Sequence, residues 1–258
     1  MTGAFEGKTV GITGLSSGIG AATAALLRER GAAIVGFDRN PPDFEVAAFH
    51  RIDIADPASI DAAVAGVDHP LDALVNSAGV PPTADKHLVL KVNFFGLRYF
   101  TEAIADKLDD GAAIVNVASL AGFQWRADIG AVKAGLATDF TDADAWIDGL
   151  TLEGGASYFL SKELLIAWTL WECQRWKARG IRMNSVSPGP VSTPILADFI
   201  QTLGKRAEDD LKLNRAGTVD EIAPVIAFMC SDDARWMNGA DVAVDCGAGA
   251  ASWREMLG

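Results

Sequence analysis

Short, unbroken apolar runs rich in Val and Ile recur along the chain at Lys8 to Thr13, Ala32 to Phe37, Ala48 to Ile52, Leu71 to Asn76, Ala112 to Val117, Ile181 to Val186 and Asp241 to Asp245. Each predicts a strand, and because the runs are continuous and not alternating, both faces of each strand are covered, as in a parallel sheet between helix layers. Between them, Gly18 to Arg30, Pro57 to Ala65, Leu88 to Leu108, Ser157 to Arg179 and Val219 to Ser231 carry helical patterns. The alternation predicts an α/β architecture: one doubly wound, seven-stranded parallel sheet with helices on both faces. No repeat or linker separates units, so residues 1–258 are expected to form a single domain. Two segments stand outside the alternation. Residues 130–156 are rich in Gly, Ala and Asp and are expected to loop out as an inserted surface element. Ser192 to Leu213 follow Pro188-Gly189-Pro190 at the carboxyl end of a strand and are placed to form a lid over a ligand.

Charge narrows the partners. The 22 Lys and Arg against 34 Asp and Glu leave a net charge of −12. That balance argues against nucleic acid and anionic membrane surfaces, which require a basic footprint. The three cysteines, Cys173, Cys230 and Cys246, form no CxxC pair, so neither a metal site nor a disulfide framework is expected. A reducing cytoplasm suits such a chain, which also lacks a signal-like apolar stretch or a long apolar span.

The first predicted strand runs into Thr13-Gly14-Leu15-Ser16-Ser17-Gly18-Ile19-Gly20 and then directly into a helix. Glycines allow a tight turn and close backbone approach to a pyrophosphate, whose charge the helix N-terminus favours. This strand, loop and helix predict dinucleotide binding through Gly14, Ser16, Ser17, Gly18, Ile19 and Gly20, in a Rossmann-type sheet. Asp38 ends the second strand, where a carboxylate accepts hydrogen bonds from both ribose hydroxyls. At about 5 Å and an effective dielectric of about 20 it repels a 2′-phosphate by roughly 3 kcal/mol per unit charge, so NAD is expected over NADP. Asp53-Ile54 and Asn76-Ser77-Ala78-Gly79 follow the third and fourth strands, at the edge where ligands of this architecture bind.

Tyr158 and Lys162 lie four apart on a predicted helix and so share a face. A tyrosine must fall about three pKa units, or about 4 kcal/mol, to exchange protons near neutrality. One ammonium at about 4 Å in an effective dielectric of about 20 supplies a contribution of that size, and an oxidised nicotinamide adds positive charge, making the pair a candidate general acid/base.

Taken in order, Thr13-Gly14-x-x-x-Gly18-x-Gly20, Asn76-Ser77-Ala78-Gly79, Asn93, Ser119, Tyr158-Phe159-Leu160-Ser161-Lys162 and Asn184-Ser185-Val186-Ser187-Pro188-Gly189 resemble the short-chain dehydrogenases/reductases over Lys8 to Gly247. The resemblance implies that Tyr158 exchanges the hydroxyl proton, Ser119 hydrogen-bonds the substrate oxygen, Lys162 holds the nicotinamide ribose and lowers the tyrosine pKa, and Asn93 holds a water linking Lys162 to solvent. Pro188, Gly189, Val191 and Thr193 complete the implied cofactor contacts. A small-molecule alcohol or carbonyl substrate and assembly as a homodimer or homotetramer are implied as well.

Three positions depart from the family pattern. Ser77 replaces an Asn, Cys246 replaces a Gly and is expected to be a buried, inert thiol, and Ser119 and Tyr158 lie 39 positions apart. The long gap resembles a branch that oxidises aromatic allylic alcohols such as coniferyl alcohol, or alternatively 3α-hydroxysteroids. For such a substrate Phe123, Trp125, Trp146, Ile195 and Phe199 are candidates for an apolar wall. A non-catalytic dinucleotide-binding regulator is the alternative from another class, disfavoured because both Tyr158 and Lys162 are present. His50, His69 and His87 form no cluster and receive no role.

Overall fold

The computed structural model describes residues 3–203 and 215–251, so the end of the segment expected to form a lid, Ser192 to Leu213, lies outside the described residues. Strands β1 (Thr9–Thr13), β2 (Ala33–Asp38), β3 (Ala48–Arg51), β4 (Leu71–Asn76), β5 (Leu108–Val117), β6 (Arg182–Pro188) and β7 (Asp241–Val244) form one sheet. Their order is β3-β2-β1-β4-β5-β6-β7 and every pairing is parallel. The strands fall close to the apolar runs, except that β5 begins at Leu108. Leu108 pairs with Leu71, after which polar Asp109-Asp110-Gly111 shifts the register before Ala113 meets Ala73.

The helices are α1 (Gly18–Glu29), α2 (Pro57–Ala65), α3 (Lys86–Leu90), α4 (Leu97–Ile104), α5 (Ile129–Ala137), α6 (Ala143–Asp148), α7 (Ala156–Glu172), α8 (Leu196–Leu203) and α9 (Val219–Cys230). On one face, Leu27 of α1 and Ile226 of α9 pack over Val10, Ile12, Val75 and Val115. On the other, Ile60, Phe100 and Leu164 pack over Phe37, Leu71, Leu74 and Ile114. Burial of both strand faces is what the continuous apolar runs require. Among the described residues, no helix is long and apolar enough to cross a membrane.

Two expected helices are corrected. The pattern from Leu88 to Leu108 is not one helix: a π-helical turn, Lys91–Gly96, separates α3 from α4. At Gly96 a Cβ would lie 1.8 Å from the Ile54 carbonyl oxygen, so the turn presses its backbone against the loop after β3. The pattern from Ser157 to Arg179 is helical only to Glu172. There the Asn238 side chain donates to the Cys173 carbonyl (2.8 Å) in place of a following helical turn, and the chain reverses at Gly180 with φ +69°.

The segment expected to loop out instead folds onto the body as α5 and α6. Val132, Ala143 and Ile147 are buried, and the Trp146 ring meets Phe95 edge-on at 5.7 Å. At Gly135 a Cβ would come within 2.6 Å of Leu164, so α5 lies tightly against α7. Its acidic character has a structural partner. The His87 imidazole lies between Asp144 and Asp148, 3.0 Å from each, and Lys91 Nζ is 3.0 Å from Asp144. A carboxylate oxygen thus faces each ring nitrogen. Hydrogen bonds from His87 and Lys91 hold the Asp144 carboxyl below its ordinary value. His87 therefore has a role that its isolation in the sequence concealed. From α4, the buried Arg98 guanidinium donates to the carbonyls of Leu136 (3.0 Å) and Thr138 (2.5 Å).

These attachments differ in worth. Arg98→Met keeps the stem but deprives two carbonyls of a charged donor, and should destabilise the protein by about 2 kcal/mol in urea unfolding. His87→Ala breaks exposed pairs and should cost less than about 1 kcal/mol, screened by salt. Both variants should speed amide exchange in α6 ahead of the sheet; uniform acceleration across the sheet would show that the segment is not separately fastened.

Candidate active site

At the carboxyl edge of the sheet a cavity of about 1130 Å³ opens where the strand order reverses between β1 and β4. This is the place where open α/β sheets bind ligands. Its floor is made by the chain leaving β1. Thr13, fully buried, accepts hydrogen bonds on Oγ1 from the amides of Ser77 and Ala78, both at 3.0 Å, which joins the ends of β1 and β4. Gly14 then turns with φ +67°, and a Cβ there would lie 2.7 Å from the Ala78 Cα. Gly18 also has positive φ (+57°), and at Gly20 a Cβ would lie 2.2 Å from the Gly14 carbonyl oxygen. The first glycine thus permits the strand contact, the second the turn, and the third the close seating of α1.

Helix α1 begins with no side-chain cap and no acidic residue in its first turn, and Ser17, Gly18 and Ile19 line the cavity. Uncapped amides with the positive end of the helix dipole suit a pyrophosphate. Asp38, at the end of β2, lines the same cavity. Its Oδ2 accepts from Ser16 Oγ (2.8 Å) and Ser16 N (3.1 Å), and its Oδ1 from Asn40 N (3.1 Å). Three of the carboxylate's about four lone-pair sites are taken, so one ribose hydroxyl finds a free site and a second would take the place of the Ser16 hydroxyl. The glycine cradle, the open helix end and the fixed carboxylate therefore fit a dinucleotide.

At the far end of the cavity, Ser119 follows β5 and its Oγ accepts from Ala121 N (3.1 Å), fixing the turn that carries it. Tyr158 and Lys162 on α7 line the cavity, each only 5% exposed. Lys162 Nζ donates to the Val117 carbonyl (2.9 Å) and lies 5.7 Å from the Tyr158 ring centroid. Burial dominates their proton affinities. It pushes the Tyr158 phenol above its ordinary range, opposed by a hydrogen bond with Ser119, and pushes the Lys162 ammonium down to about 8. In the protein alone desolvation sets the direction for Tyr158, without the positive charge that an oxidised nicotinamide is expected to add. The Phe199 ring of α8 stands edge-on to Tyr158 at 4.8 Å, and Thr83 donates to Asp198 (2.5 Å), fastening α8 across the mouth.

Of the residues singled out from the sequence, Gly14, Ser16, Ser17, Gly18, Ile19, Asp38, Asp53, Ile54, Ala78, Gly79, Ser119, Tyr158, Lys162, Pro188, Gly189, Val191 and Thr193 line the cavity. Gly20, Asn76 and Asn93 do not. Asn76 is fully buried and donates to Thr101 (2.9 Å) and Asn116 (2.8 Å), tying β4 to its neighbours. Asn93, in the π turn, clamps the backbone of Val80: its Oδ1 accepts from Val80 N (2.8 Å) and its Nδ2 donates to Val80 O (3.1 Å). Both ends of its amide are spent on that strand end. Among the apolar candidates, Phe123, Ile195 and Phe199 line the cavity, while Trp125 and Trp146 pack against the core. Glu163 and Gln124 line it too, and sequence reasoning passed over both. Glu163 directly follows Lys162, which is the signal that could have found it.

Cys246 is a further correction. It is exposed at the rim of the cavity with φ +54°, the left-handed region that a glycine occupies without strain. Cys173 and Cys230 are the buried thiols, and burial pushes Cys230 up to about 12. A thiol reagent should therefore modify Cys246 alone in the native protein and all three cysteines after unfolding. NADH should slow the native reaction; modification of Cys230 at the native rate would refute the assignment.

A short chain dehydrogenase family model matches residues 8–142, and an enoyl-(acyl carrier protein) reductase model matches residues 148–249. Coniferyl-alcohol dehydrogenase of Pseudomonas sp. strain HR199 is 42% identical over 244 residues, covering 93% of this chain and 96% of that protein. The 3-alpha-hydroxysteroid dehydrogenase/carbonyl reductase of Comamonas testosteroni is 30% identical, covering 92% and 94% of the two chains. The crystal structure of the 3-alpha-hydroxysteroid dehydrogenase from Pseudomonas sp. B-0831 complexed with NADH superposes with a TM-score of 0.80 at 31% identity, covering 96% of this chain and 99% of that one. With a cradle, carboxylate and Tyr-Lys pair on one sheet edge, and likeness over nearly its whole length, the chain belongs to the short-chain dehydrogenase family.

Proposed function

We propose that this oxidoreductase is an NAD-dependent alcohol dehydrogenase that interconverts an aromatic allylic alcohol of the coniferyl type and its aldehyde. The observation that carries the reading is one continuous cavity with Asp38 at one end and Ser119, Tyr158 and Lys162 at the other. NAD would be held by Gly14, Ser16, Gly18, Ile19 and Asp38, and when bound it supplies the hydride acceptor.

The chain's own groups handle the proton and the oxygen. The Ser119 hydroxyl, fixed by its turn, meets the substrate oxygen beside the phenol to which it is already hydrogen-bonded. The Tyr158 oxygen takes the hydroxyl proton during oxidation and returns it during reduction. Lys162, nearly fully buried and anchored on Val117, adds positive charge close to that oxygen, and its value of about 8 lets it exchange protons near neutrality. Phe123, Ile195 and Phe199 exclude water and present an apolar wall to an aromatic ring. Identity of 42% to the coniferyl-alcohol enzyme, against 30% to the hydroxysteroid enzyme, favours the aromatic substrate.

NADH formation followed at saturating NAD should appear with coniferyl alcohol and exceed that with a 3α-hydroxysteroid; the opposite order would overturn the substrate reading. Tyr158→Phe should lower kcat at least a thousandfold while NADH still binds by fluorescence, and a variant retaining a tenth of the activity would reject Tyr158 as the acid/base. Asp38→Ser should raise the NADP to NAD ratio of kcat/KM by ten- to a hundredfold, since it removes a repulsion of roughly 3 kcal/mol. An unchanged ratio would mean that another group reads the ribose.

A further inference from the structure

Helix α7 brings a third ionisable side chain into the cavity, one that the hydride-transfer chemistry does not use. Glu163 follows Lys162, is half-buried, and lines the same space as Tyr158. Among the described residues its carboxylate has no hydrogen-bond donor and no cation at salt-bridge distance. The charge that acts on it is Asp128, of the same sign, which together with burial raises its pKa. Of the other titratable groups on its helix, Lys162 is committed to the Val117 carbonyl and Tyr158 to Ser119. A half-buried carboxylate short of donors is satisfied by a ligand that brings one.

The surroundings say which kind of ligand. At Gly122 a Cβ would fall 2.6 Å from the Lys162 carbonyl, so the turn after Ser119 packs directly on α7, and Phe123, Gln124 and Glu163 line the same cavity. Aromatic and amide groups therefore share the cavity with the acid. Along α7, Glu163 lies five residues beyond Tyr158, an axial rise of about 7.5 Å with a turn of about 140° around the helix, so the two groups meet different parts of a ligand in the shared cavity.

We propose that Glu163 is a specificity-determining residue that accepts a hydrogen bond from the ring hydroxyl of a phenolic alcohol whose carbinol end lies at Tyr158 and Ser119. The proposal rests on the aromatic-alcohol reading above and adds the polar end of the substrate. A site built to accept from a substrate hydroxyl discriminates strongly against the analogue lacking it.

The test compares 4-hydroxycinnamyl alcohol with cinnamyl alcohol, which has no ring hydroxyl, using the full-length protein and NAD. The wild type should favour the hydroxylated substrate in kcat/KM by at least tenfold. Glu163→Leu should reduce that ratio at least tenfold, mainly through the KM of the hydroxylated substrate, and the isosteric Glu163→Gln should leave an intermediate ratio. A structural disturbance of α7 would lower both substrates together. A ratio unchanged in both variants overturns the assignment of Glu163. Failure of the wild type to turn over either alcohol, with a 3α-hydroxysteroid still oxidised, overturns the aromatic reading itself and the role of Glu163 with it.

Discussion

The site depends on one contact that leaves no room for a side chain: the backbone of Gly14 against that of Ala78, where a Cβ would approach to 2.7 Å. Here β1 and β4 lie side by side while the chain departs in opposite directions, α1 toward one face of the sheet and the Ala78 to Val80 strand end toward the other. Thr13 closes the junction by accepting two amides on a single oxygen. With the two ends locked, the amides of α1, the Asp38 carboxylate and the Asn93 clamp on Val80 all address the same cavity. A side chain at Gly14 would part the two strands and with them everything built on their ends.

At the chemical end of the cavity, burial and charge oppose one another. Desolvation alone drives the Tyr158 phenol away from ionisation and strips Lys162 of part of its affinity for its proton. In the proposed reaction, proton exchange at Tyr158 would draw on the Ser119 hydroxyl, the Lys162 ammonium steadied by the Val117 carbonyl, and the positive charge of an oxidised cofactor. An exposed Tyr-Lys pair would ionise independently of any ligand. A buried pair ties proton transfer to an occupied site, which suits an enzyme whose proton and hydride must leave the same carbon and oxygen together.

The residues between Ser119 and Tyr158 pack against α7 and leave Tyr158 facing Ser119. Apolar residues Val132, Ile147 and Trp146 extend the core on the outer side of α7, while carboxylates on α6 face His87 of α3 and Lys91 of the π turn. The turn after Ser119 stays pressed against Lys162, so α7 still presents Tyr158 to the serine. The segment's excess negative charge is therefore not merely a solvated face; part of it is the attachment itself.

The sequence by itself determined the parallel sheet, the dinucleotide loop and the Tyr-Lys pair, because each rests on local rules: continuous apolar runs, glycines where backbone crowds backbone, and a four-residue helical repeat. Tertiary structure decided what those rules do not contain. It turned Asn93 onto Val80 and buried Asn76 away from the cavity, because a π turn and a hydrogen-bonded chain behind the sheet have no sequence period. Cys246 came to the cavity rim and Glu163 into its wall, because exposure at a site depends on which elements pack nearby. It also added burial to the electrostatics of Tyr158, since charge spacing is legible from the sequence whereas desolvation exists only once the surrounding chain has closed over the group.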